Sequence, residues 1–436
     1  MNISLARLFK MSALALPLAL AYQSASAIEL NQTVEDAVLH NPEFRSQLKE
    51  LHSIRADLTG AEGSWYPTID ITAGIGYEEV DNTGDGLTRK ETAIRITENL
   101  FEGFGTENEI DRQQHRMEAS AYATEATANQ IALDMTEAYL NLLTQQKLLG
   151  LAEENVETHS KILDQITQRF DAGIGNQVEV DQAKARFALA QSNLSAANNN
   201  YQDTLSRFQR VLGRQPDSAL VEPTQALDIP KTVEEAINIA LIEHPTLRSA
   251  NADIAEAQSQ YDASSRTFYP RIDLEVLKTW DDNLAGVEGK NEDFQAMIRM
   301  RYNLYNGGKD KAERSRTASA LHQAAEIRNN SRRQTLENIR YAWNAYQYVG
   351  QQKQYVEEHM KLTLDTLTGY RQQFSLGRRS LLDLLNTEDE YINAQRTMAE
   401  SENEYRIAQY RIMNGMGTLL QTMNIQLDPI QAVMND

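Results

Sequence analysis

The sequence predicts a mainly α-helical protein that is internally duplicated and that contributes four strands to a transmembrane β-barrel. Three observations lead to this prediction. Residues recur at a nearly constant displacement along nearly the whole chain, each half holds two segments of alternating polarity, and each half holds a long proline-free helical stretch. The two halves should therefore build the same supersecondary unit twice.

The duplication is visible as repeated residues 203 or 204 positions apart, which are Asn41-Pro42 with His244-Pro245, Trp65-Tyr66-Pro67 with Phe268-Tyr269-Pro270, Gly173 with Gly377, and Gly213 with Gly417. A displacement that stays constant within one residue over so many positions is typical of a tandem duplication. It predicts a first repeat over residues 28–213, a proline-rich linker over 214–231, a second repeat over 232–417 and a C-terminal tail over 418–436.

The first 27 residues predict a secretory signal peptide. Arg7 and Lys10 precede an apolar run from Met11 to Tyr22, and small residues of the A-x-A kind follow up to Ala27. The apolar run is shorter than the roughly 20 residues that a membrane-spanning helix needs. We therefore expect cleavage after Ala27.

The chain is acidic, with 42 Lys and Arg residues against 62 Asp and Glu residues and a formal net charge of -20. Residues 1–27 hold two basic and no acidic residues, so their removal would leave 40 basic against 62 acidic residues, a net charge of -22. A nucleic-acid partner is not expected, because the phosphate backbone would be repelled. The absence of cysteine excludes disulfides and thiolate metal sites.

Each repeat is predicted to open with two short helices. Thr33 and Thr232 precede acidic residues, and a hydroxyl in that position predicts the N-cap of the first helix. Pro42 and Pro245 suit the first turn of the second helix.

A pair of strands follows in each repeat. Apolar residues such as Ile69, Ile71 and Ile75 alternate with polar ones at a period of two. In the last strand an apolar face lies opposite a face that carries Arg299 and Arg301. The apolar face needs an apolar environment and the charged face needs water. This favours a membrane barrel, with lipid outside and water inside, over a soluble sandwich. The strands are predicted at about 68–80, 90–101, 271–280 and 293–305.

Four strands cannot close a barrel, and lipid does not tolerate an open sheet edge. A closed barrel needs about eight strands or more, so the smallest assemblies are a dimer with eight strands and a trimer with twelve. Because a barrel of eight strands is filled by its own side chains, a transport function favours the trimer. Aromatic residues at the hairpin bases predict an interfacial girdle, with an ordinary apolar corner as the alternative; they are Trp65, Tyr66, Phe101, Phe104, Phe268, Tyr269 and Tyr305.

The strands lead into long helices, predicted at about 106–169 and 309–373, and each turns back into a shorter helix at about 177–212 or 380–416. Gly173 and Gly377 lie at these turns and suit helix C-caps. Apolar residues spaced by three, four and seven predict that each pair of helices packs as an antiparallel coiled coil.

Together with two tip sequences, these features resemble the TolC family of outer-membrane channel-tunnels (outer-membrane factors) over nearly the whole chain. The tip sequences run from Arg169 to Asp181 and from Gln373 to Asp383. The resemblance implies a homotrimer with a twelve-stranded barrel in outer-membrane lipid and an α-helical tunnel in the periplasm. It also implies two partners, a periplasmic adaptor (membrane fusion) protein and an inner-membrane transporter.

The segment Asn99–Gly105 resembles the branch that serves type I protein secretion, which favours a transporter of the ABC type. The resemblance therefore implies an exit duct that passively conducts a secreted protein. Multidrug or small-molecule efflux is the first alternative, because it shares the architecture. A secreted coiled-coil scaffold is the second.

The resemblance also implies a periplasmic gate at the helix tips. In the family, polar links from an arginine past the second tip glycine hold the gate closed, and the matching residues here are Arg379, Asp383 and Glu179. Asn386 stands where the family can carry a second acidic residue at the constriction, so the resemblance implies a weaker cation-attracting ring there. The alternative is a solvated pair worth only a few tenths of a kcal/mol. The residues implied in adaptor docking are Ala172, Gly173, Ile174, Leu376, Gly377 and Arg378.

An enzyme is not expected. Seven histidines are scattered along the chain, and no H-E-x-x-H, G-x-S-x-G or phosphate-binding loop occurs. No catalytic residue, cofactor or metal site is therefore predicted. The segment Asp81–Gly86 resembles a calcium loop only weakly, because the final acidic ligand is missing, and is predicted to be an external barrel loop.

Overall fold

The computed structural model describes residues 29–80, 86–216 and 218–435. The predicted signal peptide lies outside these residues, as does the predicted barrel loop Asp81–Gly86 except for Gly86. Among the residues that the structure describes, no helix is both long and apolar enough to cross a membrane.

The two repeats contain the same elements in the same order. The first consists of α1 Leu30–His40, α2 Pro42–Glu62, β1 Thr68–Glu78, β2 Leu87–Phe101, α3 Gly105–Asp171 and α4 Gln177–Leu212. The second consists of α5 Val233–Glu243, α6 Pro245–Ala263, β3 Arg271–Asp282, β4 Lys290–Arg301, α7 Lys309–Ser375 and α8 Leu381–Met416. The short helices α9 Leu419–Thr422 and α10 Asp428–Asn435 follow. Both α3 and α7 have 67 residues, and both α4 and α8 have 36.

Several boundaries differ from the sequence predictions by a few residues, and two of these differences have a clear physical reason. The first helix begins at Leu30, so Thr33 lies within it rather than at its N-cap, and its hydroxyl donates to the Glu29 carbonyl at 2.8 Å. The fourth strand ends at Arg301 rather than at 305, because its partner β3 begins at Arg271, directly opposite Arg301. The prediction for Thr232 is confirmed, since its hydroxyl accepts the Glu235 N–H at 3.2 Å.

The four strands form one antiparallel sheet in the order β1-β2-β3-β4. The pairing of β2 with β3 joins the first repeat to the second, from Lys90 opposite Asp282 to Phe101 opposite Ile272. Both outer strands, β1 and β4, therefore have one unpaired edge within the described chain. A protein that keeps such edges in lipid must pair them with further copies.

The main apolar core lies around the middle of α3, away from the sheet. It surrounds Tyr139 and Phe208, which are fully buried, and includes residues of α1, α2, α8, α9 and α10. Tyr139 also anchors the linker, because its hydroxyl donates to the Val221 carbonyl at 2.8 Å and accepts the Val221 N–H at 2.9 Å. We call this set of residues the equatorial cluster.

Two duplicated glycines give a matched test of packing at this core. Gly213 ends α4 with φ +83°, and Gly417 ends α8 with φ +80°. A Cβ at Gly417 would lie 2.7 Å from the His244 Cα and 2.9 Å from the Pro245 Cδ, whereas a Cβ at Gly213 would meet nothing within 4 Å.

We expect Gly213→Ala to lower the free energy of unfolding by about 1–2 kcal/mol, the cost of a left-handed alanine. Gly417→Ala should lower the free energy of unfolding by this amount and by about 1–3 kcal/mol more, because the backbone beside residue 417 must move. Urea unfolding of the two variants measures the difference. Equal losses would show that the contact with α6 does not constrain Gly417.

Candidate functional site

The sheet presents an apolar band on one face. Strand register places Ile71 beside Ile94 and Leu274 beside Ile298, and both Ile71 and Ile298 are 70% exposed. Lys90 and Glu98, two charged residues on this face, lie toward the ends of the strands, whereas Lys278 lies opposite Ile94 and pairs with Glu292 at 3.2 Å. Within the residues that the structure describes, the band stays exposed at Ile71 and Ile298, so in a folded protein it needs an apolar solvent.

The opposite face of the sheet carries ion pairs. Asp273 is fully buried between Arg271 and Arg301, whose nitrogens lie 2.9 Å and 3.0 Å from its carboxylate oxygens. Arg299 donates to Glu275 at 3.0 Å. The arginines themselves remain partly exposed, so this face needs water. One sheet thus separates two solvents, as the wall of a channel does.

The predicted girdle residues all lie where strands and helices meet. Phe101, Phe104 and Tyr269 pack edge to face, with ring centroids 5.6–6.3 Å apart and ring planes nearly perpendicular. The other four side chains are exposed; they are Trp65, Tyr66, Phe268 and Tyr305. Their role as an interfacial girdle remains a prediction.

The two helix tips, at the far end of the molecule from the sheet, are built in the same way. Gly173 has φ +76° and donates to the Phe170 carbonyl at 2.9 Å, and Gly377 has φ +71° and donates to the Phe374 carbonyl at 3.0 Å. In each tip the N–H of the next residue donates to the carbonyl of the residue five positions earlier, which completes a Schellman C-cap. The positive φ explains why glycine stands at both positions. The tip residues implied in adaptor docking are all exposed; they are Ala172, Gly173, Ile174, Leu376, Gly377 and Arg378.

Both predicted acidic gate residues lie in the first turn of the returning helices. Asn176 caps α4 by accepting the Glu179 N–H at 3.0 Å, and Ser380 caps α8 by accepting the Asp383 N–H at 3.1 Å. A carboxylate in this turn is stabilised by the helix dipole. Glu179 and Asp383 therefore stabilise the folded tips, whether or not they also close a gate.

Arg379 is held within its own hairpin. Its Nε lies 3.3 Å from the Asp383 carboxylate without forming a hydrogen bond, and its guanidinium lies 3.7 Å from the centre of the Tyr370 ring. In the described chain it forms no ion pair with Glu179 of the same protomer. The predicted link from Arg379 to Glu179 is therefore absent within the described protomer and remains a prediction.

Asn386 is not a free side chain. Its amide oxygen accepts a hydrogen bond from Arg186 on α4 at 2.7 Å, and Arg186 also pairs with Asp389 one turn farther along α8. The Nε2 atom of His159, on α3, lies 3.4 Å from the same Asp389 carboxylate, and His159 is only 2% exposed. Sequence analysis missed these three residues. Only the spacing of Asn386 and Asp389, which places both on one face of α8, was a signal.

A small apolar cluster joins the two hairpins below these polar contacts. We call it the tip cluster; its buried members are Ile162, Ile166, Val180, Ala183, Leu381 and Leu385. Arg169 adds a contact between the tips, because its guanidinium lies 5.2 Å from the centre of the Phe374 ring. The tips of α3/α4 and α7/α8 are therefore packed together in this structure.

A family model described as outer membrane efflux protein matches residues 33–214 and 236–418. The match agrees with a sheet that has one apolar and one charged face and with the paired helix tips. The chain belongs to this family. It is 21% identical to the outer membrane efflux protein BepC of Brucella suis over 91% of this chain and 87% of that protein. It is also 21% identical to the outer membrane protein TolC of Escherichia coli, over 91% of this chain and 83% of that protein.

Solved structures of outer-membrane channels show the same fold. The Campylobacter jejuni CmeC channel superposes with a TM-score of 0.77 at 16% identity, covering 89% of this chain and 86% of that one. The open state of the Neisseria gonorrhoeae MtrE channel gives 0.78 at 14% identity, covering 90% and 89%. The fold class predicted from the sequence, mainly helical with four barrel strands per protomer and long antiparallel helices, is confirmed. The trimer remains a prediction. The predicted location in the outer membrane, with the helices in the periplasm, is also confirmed.

Proposed function

We propose that three copies of this chain form the exit duct of a tripartite export system. An inner-membrane transporter and a periplasmic adaptor would deliver the substrate, and the duct would conduct it passively to the cell exterior. The observation that carries the proposal is the sheet, whose apolar band and charged face require lipid on one side and water on the other. The helices continue that wall away from the membrane.

We further propose that the cargo is a protein secreted by a type I system with an ABC-type transporter. Two observations support this choice. The segment Asn99–Gly105 resembles the type I secretion branch, and the chain is 21% identical to the alkaline protease secretion protein AprF of Pseudomonas aeruginosa, over 67% of this chain and 62% of that protein.

Small-molecule efflux is the second candidate, favoured by the similarity to BepC, which is named an efflux protein. Deletion of the gene separates the two functions. Type I secretion predicts that a protein disappears from the culture medium while drug susceptibility is unchanged. Efflux predicts increased susceptibility with an unchanged set of secreted proteins. The transporter that co-purifies with the protein after cross-linking in cells should be of the ABC type, and recovery of a different class would contradict the secretion proposal.

At the periplasmic end, we propose that Arg379 and Asp383 of one copy close the duct together with Glu179 of the next. A guanidinium that already contacts Asp383 has donors left for a second carboxylate, which supports such a bridge. The exposed tip residues around Gly173 and Gly377 would receive the adaptor. Ile174 and Leu376, which are 64% and 69% exposed, would supply the apolar part of that contact.

A further inference from the structure

The apolar band carries its basic residues at one end only. Among the described strand residues on the face of the band, the basic ones are Lys90, Lys278 and Lys290, and all three lie in the half of the sheet farther from the helices. In the half nearer the helices, the described residues of this face include one charge, that of Glu98. Because the helices lie in the periplasm, the lysine end of the band lies in the outer leaflet of the membrane.

Lys278 shows in which direction these side chains extend. Its backbone lies between Ile94 and Phe294, within the apolar band. Its ammonium lies 3.2 Å from the Glu292 carboxylate and 5.5 Å from the centre of the Trp280 ring, and both partners lie one row of residues farther out. A long cationic side chain in a bilayer extends in this way toward the nearer polar boundary. That boundary should therefore lie at about the height of Trp280, a residue type that is enriched at lipid–water interfaces.

Lys90 and Lys290 lie one row beyond this boundary. Strand register places Asp282 directly opposite each of them, so the backbones of the two lysines are two strand spacings apart, about 10 Å. Both lysines are exposed, and within the part of the chain that the structure describes neither forms an ion pair with Asp282 or with another carboxylate. Two ammonium groups are thus left without an anion at the depth of the lipid headgroups.

The charges at this end of the band favour a phosphate as the ligand. Three lysines and two carboxylates, those of Asp282 and Glu292, give this end a net charge of +1 in each copy. Glu292 is engaged by Lys278, which leaves Lys90 and Lys290 available to a ligand. Lysine binds phosphate as a point charge and needs no bidentate geometry. A lipid brings its phosphate to this depth, because its acyl chains contact the apolar band below.

We propose that the outer end of the apolar band binds the phosphate-bearing headgroup of a lipid in the outer leaflet. Lys90 and Lys290 contact the phosphate, and the apolar residues below them contact the acyl chains. Asp282 weakens binding, because its carboxylate lies between the two lysines and repels the phosphate. The site faces away from the interior of the duct, so it does not depend on which cargo the duct conducts.

Native mass spectrometry of the protein purified in detergent tests the site, because it counts the lipids that each assembly retains. The probe is phosphatidylglycerol, whose headgroup carries a net negative charge, and the comparison lipid is phosphatidylcholine, whose headgroup has no net charge. We expect phosphatidylglycerol to be retained in preference. Lys90→Gln and Lys290→Gln should each weaken its retention about fivefold, the effect of one cationic side chain at an anionic lipid surface. Equal retention of the two lipids by the unmodified protein would refute the site.

Two matched controls lie on the charged face of the same strands. Arg95 is on β2 with Lys90, is exposed and forms no ion pair within the described residues, so Arg95→Gln removes the same charge on the side away from lipid. Asp282→Asn should strengthen retention, whereas Asp281→Asn, at the adjacent residue on the charged face, should leave it unchanged. Equal losses in Lys90→Gln and Arg95→Gln, or weaker retention in Asp282→Asn, would overturn the proposal.

Inorganic phosphate separates a lipid site from a site for free anions. Added in excess, it should displace little phosphatidylglycerol, because it has no acyl chains to contact the band. Complete displacement would show that the lysines bind any phosphate and would contradict lipid binding. The duct and the lipid site fail separately: a protein that conducts ions but retains both lipids equally would refute the lipid site alone.

Discussion

Ile71→Arg is expected to prevent the accumulation of trimers in the outer membrane. Ile71 lies on the apolar band, is 70% exposed and pairs with Ile94. An arginine that faces lipid near the middle of the bilayer costs about 2–4 kcal/mol, and a trimer would bear this cost three times. Heat-modifiable trimers in isolated outer membranes, seen on gels without boiling, measure the effect.

Thr72→Arg is the matched control for this substitution. Thr72 is the next residue of β1 and pairs with Ala93, so its side chain points to the charged face of the sheet. The same arginine is therefore solvated by water in the duct, and trimers should accumulate normally. Equal loss of trimers in both variants would contradict the assignment of the two faces.

Arg379→Ala is expected to raise the conductance of reconstituted trimers. The substitution removes the contact of 3.3 Å with Asp383, the stacking on Tyr370 and the proposed bridge to Glu179 of the next copy. Without these contacts the tips of α7/α8 lose their restraint toward the closed arrangement. Single-channel recording in a planar bilayer measures the change.

Arg378→Ala is the control for charge alone. Arg378 is the adjacent residue, is exposed and forms no ion pair in the described chain. Its removal changes the net charge of the tip equally but breaks no contact, so conductance should be unchanged in the absence of an adaptor. An unaltered conductance in Arg379→Ala would refute the gate assignment.

Much of the fold followed from the sequence because its determinants are local. Alternation at Ile69, Ile71 and Ile75 identified a strand, since side chains on a strand alternate between its faces. Gly173 and Gly377 identified the tips, since few other residues accept a positive φ. The duplication then carried each assignment from one repeat to the other.

The contacts of Asp389 with Arg186 and His159 could not be predicted in the same way, because they depend on the relative register of separate helices. His159, Arg186 and Asp389 come from α3, α4 and α8, and Asp389 is 203 residues from Arg186 in sequence. Each residue taken alone is compatible with a solvated helix face. Only the packing of one hairpin on the other places the three side chains together.

Asn386 shows how the structure changes a role inferred from resemblance. Its position implied a weakened constriction, because an amide carries no charge. In the structure the amide accepts a hydrogen bond from Arg186, which an aspartate at that position would also attract. We therefore interpret Asn386 first as part of the seam between hairpins, and its contribution to a constriction as secondary.

The most direct test of the central claim is the assembly and conductance of the mature protein purified from outer membranes. The account predicts trimers that require detergent to stay in solution and that carry an ion current after reconstitution in a planar bilayer. A monomer that remains soluble without detergent, or a trimer that adds no current, would contradict it.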